Sequence, residues 1–84
     1  MESETSKLIS QTTDEDLIII KSVVDYYIVH FDLNYSLESR SQTILDIFEL
    51  VRKKYISTQS SKYYSNKQTT IDVLVKSYLL QKLA

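Results

Sequence analysis

His30 is the one side chain in this sequence of 84 residues whose ordinary pKa lies near neutrality. A catalytic or phosphate-accepting role for it would need a nearby base, a small residue or a lysine at suitable spacing. Its next neighbours in the chain are Phe31 and Asp32. The expectation is therefore a packed or surface residue at the edge of an apolar face. Asp14, Glu15 and Asp16 imitate a cation site, but they also make a helix start, where negative charge meets the positive end of the helix dipole. Without cysteine there is no thiolate nucleophile, disulfide framework or thiolate metal site. Glycine is absent too, and phosphate-cradling loops and nucleophile elbows use it where the backbone turns sharply or approaches a ligand. No nucleophile, base and orienter assemble with any specificity. The expectation is no catalytic residue, no metal, no cofactor and no small-molecule substrate, hence not an enzyme.

Tyrosines and cations make a second constellation. Seven of the nine aromatic residues are tyrosine. Arg52, Lys53, Lys54, Lys62, Tyr63, Tyr64 and Lys67 interleave charge with stackable rings, as single-strand nucleic-acid binders do. Residues 1–51 carry ten acidic groups against Lys7, Lys21 and Arg40, whereas residues 52–84 carry seven basic groups against Asp72 alone. Such asymmetry fits either two halves that attract each other or a basic face for an acidic partner. Against a nucleic-acid reading stands the whole chain's formal net charge of −1. The plainer expectation is that Tyr55 and Tyr78 are half-buried, with hydroxyls at the rim of a core.

The elements that would position these residues are helical. Leu17 to Phe31 is the most apolar stretch, interrupted only by Lys21, Ser22, Asp25 and His30. A first stripe holds Leu17, Ile20, Val24, Tyr27, Ile28 and Phe31 at helical spacing; Ile19, Val23, Tyr26 and His30 form a second beside it. Thr13 as a capping hydroxyl with Asp16 three residues on predicts a helix over 14–32, with Asn34 as the residue suited to a left-handed end. A second helix is expected over 37–57, capped by Ser36 or Ser39. Its core face is expected to run through Leu37, Ser41, Ile44, Ile47, Phe48, Val51 and Tyr55. A third is expected over 66–83, starting at one of two capping boxes, Ser65–Gln68 or Thr69–Asp72, with a short helical turn before it. Residues 1–12 read as a mobile polar tail and 13–84 as one helical domain.

Three helices of similar length joined by short connections predict an all-α, three-helix bundle, which oligomerisation could complete. Such a bundle needs one apolar stripe per helix, and the first helix supplies nearly two. The expected function is a protein–protein interaction or assembly module, self-associating as a homodimer or gripping a larger protein. Its contact would run through Ile19, Val23, Tyr26 and His30. The alternative is a nucleic-acid-binding or transcription-regulating domain using Arg52 to Lys67. The first dozen residues lack the basic-then-apolar pattern of a secretory leader, and no run of about 18 apolar residues occurs. An intracellular, soluble protein without a membrane partner is expected.

Overall fold

Short polar side chains cap the starts of three described helices, and residues other than glycine close the turns that follow them. The structure, a computed structural model, describes residues 4–83. Its architecture is all-α: helices α1 (Glu4–Ser10), α2 (Glu15–His30), α3 (Leu37–Val51), α4 (Ser61–Ser65) and α5 (Lys67–Leu83), with no strand among the described residues. Asp14, not the expected Thr13, caps α2; its carboxylate accepts from the Leu17 N–H at 3.1 Å. Thr12 accepts in turn from the Asp14 N–H, so its hydroxyl fixes the cap itself. Ser36 caps α3 by accepting from the Ser39 N–H, and Ser60 caps α4 by accepting from the Tyr63 N–H. Neither predicted capping box starts α5. Ser65 turns its hydroxyl back onto the Ser61 carbonyl, and Thr69 lies inside the helix.

Helix α2 ends earlier than expected, and at Asp32 (φ 53°) instead of Asn34. The Asp32 N–H donates to the Val29 carbonyl and the Leu33 N–H to the Ile28 carbonyl, a left-handed closure usually built on glycine. Helix α3 continues beyond Val51 as one turn of π-helix, Arg52–Ile56, with the Ser57 N–H reaching back to the Arg52 carbonyl at 2.8 Å. The same left-handed closure recurs at Gln59 (φ 52°), whose N–H donates to Ile56 while that of Ser60 donates to Tyr55. Together α3 and the π-turn cover the span predicted as one helix.

Helix α2 packs against both α3 and α5, and α3 against α5. The core draws on Ile20, Val24 and Ile28 of α2, Ile44, Ile47 and Val51 of α3, and Ile71, Val75 and Leu79 of α5. Lys67 at the start of α5 meets Glu15 and Asp16 at the start of α2, so both helices begin at the same end of the molecule. The N-terminal segment departs from expectation. Residues 1–3 lie outside the described residues, but Glu4–Ser10 is helix and Ile9 is only 3% exposed, packed into the same core. Helix α1 touches α3 and α2. Seven residues do not hold a helix alone in water, so this contact is what orders them.

Candidate interaction surface

Helix α2 is apolar nearly all round, and the fold covers only part of it. The predicted contact residues divide accordingly. Val23 is buried at 5% exposure and belongs to the core, which corrects its placement on an outer face; Ile19 packs partly against that core. The reason is angular: Val23 lies one helical turn from both Ile20 and Tyr27, on the side of α2 that turns toward Gln68 and Asp72 of α5. Tyr26 and His30 do face solvent, and their rings stack at 5.6 Å with planes 10° apart. Ile18, Tyr26 and Val29, exposed at 45, 60 and 76%, form the outward apolar stripe with Ser22 between them. Val73 and Leu80 add exposed apolar area on α5. Between α2 and α5 runs an open groove of about 310 Å³ lined by Ser22, Val23, Tyr26, Gln68 and Asp72.

Behind this stripe, α2 is fixed by phenol–carboxylate contacts. The Tyr27 hydroxyl donates to both oxygens of Asp72, at 2.9 and 3.0 Å. That hydrogen bond, followed by burial, raises the Tyr27 pKa above its ordinary value. Tyr63 is buried and donates to Asp16; burial first, then this bond, pushes its phenol up strongly. Tyr78 donates to Asp46 of α3 at 3.1 Å and is raised in the same direction, by burial first and then by the Asp46 charge. Each of these contacts joins two helices. Sequence reasoning missed the three aspartates; the one signal was that Asp72 is the lone acid of the basic half.

The basic constellation comes apart. Tyr63 is enclosed, with Tyr55 stacked on it at 5.0 Å, so its ring offers nothing to a base. Lys67 lies 3.4 Å from Asp16 and 3.7 Å from Glu15. Its burial opposes the charge, but attraction to Asp16 and Glu15 outweighs this and raises its pKa. Tyr64 stays half in water with the Lys67 ammonium over its ring. Arg52, Lys53, Lys54 and Lys62 remain exposed, without a carboxylate partner among the described residues. Lys54 lies over the Tyr55 ring at 5.5 Å.

Asp14, Glu15 and Asp16 are engaged as a cap, an ion pair and a phenol acceptor. Among the described residues no group of three or more histidine, aspartate or glutamate side chains could hold a metal ion. No helix there is long and apolar enough to cross a membrane. Comparison with protein-family models, curated proteins and solved structures finds no match to this chain.

Proposed function

We propose that this chain is a non-enzymatic protein–protein interaction or assembly module. In this reading α2, α3 and α5 form a three-helix bundle, with α1 and α4 as short additions, and the bundle presents the outward face of α2. The observation that carries the reading is the alignment of Ile18, Tyr26 and Val29, all exposed, along one side of a helix whose opposite side lies in the core. Single exposed apolar residues are ordinary, whereas an aligned apolar stripe bordering a groove is what a partner surface requires. Here the contact residues are Ile18, Tyr26, Val29 and His30, with Val23 as their internal support.

Light scattering over a concentration series, with hydrophobic-dye binding in parallel, tests this. Mass above that of a monomer, or dye binding by a monomer, is expected, and Val29→Glu should abolish whichever is seen. A monomer that binds no dye, or a signal unchanged by Val29→Glu, would remove the reading.

A second reading, nucleic-acid binding, is favoured by the four exposed cations Arg52, Lys53, Lys54 and Lys62, and disfavoured by the internal engagement of Tyr63 and Lys67. It expects oligonucleotide binding that weakens steeply with salt, as phosphate contacts release counterions. Absence of binding at low salt removes it.

A further inference from the structure

Helix α5 has an outer side of its own that the fold leaves open. Val73 and Leu80, 59 and 45% exposed, stand seven residues apart. That spacing is two turns along one helix face, about 10 Å. Beside Val73 a groove of about 460 Å³ opens between α5 and the π-turn. Lys54 and Tyr55 line one wall, and Thr70, Val73, Leu74 and Ser77 line the other. The α5 wall is therefore aliphatic in the middle, with a hydroxyl one turn away on either side.

Charge decides what fits there. No residue lining the groove is acidic. Lys54 on the far wall is exposed and has no carboxylate partner among the described residues. Lys76, exposed and without such a partner too, lies three residues from Val73 and four from Leu80. Helical angles place it on the rim opposite Lys54. Arg52 and Lys53 add exposed cations on the same π-turn. Asp72, the one acid of this half, is held by the Tyr27 hydroxyl on the side of α5 that meets α2. An aliphatic trough with cations on both rims matches a ligand that is apolar along one line and negative beside it. A nucleic-acid strand fits less well, because it needs rings on which bases stack. Tyr63 covers one face of the Tyr55 ring, and Lys54 lies over that ring.

We propose that this groove docks an acidic amphipathic helix of another protein. Its apolar side chains lie along Val73 and Leu80, and its carboxylates meet Lys54 and Lys76. The surface shares no residue with the outward face of α2, so it stands or falls separately from that face.

The probe is a fluorescein-labelled peptide of about 14 residues, with leucine on one face and glutamate elsewhere, followed by anisotropy against the full chain at low salt. Saturable binding is expected, weakened about tenfold by Lys54→Glu and at least about threefold by Val73→Ser. Both positions are exposed, so helix content by circular dichroism should not change. Val29→Glu, on the α2 face, should leave this binding as it was. Equal binding of a peptide with serine in place of leucine would reduce the contact to charge alone and remove the groove from it. Tighter binding of fluorescein-labelled oligothymidine, weakened by the same two substitutions, would overturn the peptide in favour of nucleic acid. No saturable binding, or binding indifferent to both substitutions, would overturn the proposal outright. In each case the α2 face keeps its own test.

Discussion

Tyr27, Tyr63 and Tyr78 each send a hydroxyl to an aspartate on another helix, tying α2 to α5, α4 to α2 and α5 to α3. A phenol suits this position because its ring adds apolar burial while its hydroxyl satisfies a carboxylate at the rim. Tyr63→Phe should cost about 1.5–3 kcal/mol, the usual range for a hydrogen bond to a charged group, read by chemical denaturation. The loss stays moderate because Asp16 keeps Lys67 beside it. These ties also set the response to alkali. All three phenols, and Lys67 with them, have pKa values raised in the folded state. Between the unfolded value, near 10, and the higher folded one, the native state holds protons that the unfolded chain has released. Stability is therefore complete below about pH 10 and falls as pH rises through the folded values. Thermal unfolding should show a flat midpoint up to about pH 9 and a decline above about pH 10, shallower in Tyr63→Phe; a midpoint rising above pH 10 would contradict the ties. The half-buried ring of Tyr78 was legible from helical spacing. Its acceptor was not, because Asp46 lies 32 residues away in sequence and only packing brings it near.

The three long helices were legible at the level of elements, since 3.6-residue periodicity survives without help from tertiary structure. Their ends were less so. Without glycine, the left-handed closing positions fall to Asp32 and Gln59, and nothing in local propensity singles out Gln59. A residue with a Cβ is strained in that region, and glycine is not. Gln59→Gly should accordingly raise stability by about 0.5–1 kcal/mol despite the added freedom of its unfolded chain. In a domain of this size that is roughly 3–6 °C in the unfolding midpoint, and a lower midpoint would mean that Gln59 is not under strain. Helix α1 was illegible for the opposite reason. Its composition is that of a tail, and its order depends on one apolar side chain, Ile9, finding the core. Ile9→Ala should cost about 2–3 kcal/mol, near the low end for such truncations, because the helix it anchors can peel away. A cost below about 0.5 kcal/mol by denaturant titration would return this segment to the status of a tail.

At the scale of the whole molecule, part of the charge asymmetry between the halves is satisfied internally: Lys67 of the basic half meets Glu15 and Asp16 of the acidic half, at the end where α2 and α5 both begin. The surplus apolar surface of α2 was legible as a quantity, but its direction was not. Two stripes on one helix look alike until packing decides which is covered: Val23 is buried beside Gln68 and Asp72 of α5, while Ile18, Tyr26 and Val29 stay outside. A pair of charge substitutions separates the two sides. Val23→Glu buries an unpaired carboxylate and should cost about 3–5 kcal/mol. That is much of the total stability of roughly 4–13 kcal/mol for a domain this size, so circular dichroism should report loss of helix. Val29→Glu adds the same charge at a position 76% exposed and should change stability by about 0.5 kcal/mol or less, keeping helix content while removing association. Retention of helix in both variants would mean that Val23 is not buried. Loss of helix in both would mean that Val29 is packed inside, leaving α2 without a free face to offer a partner.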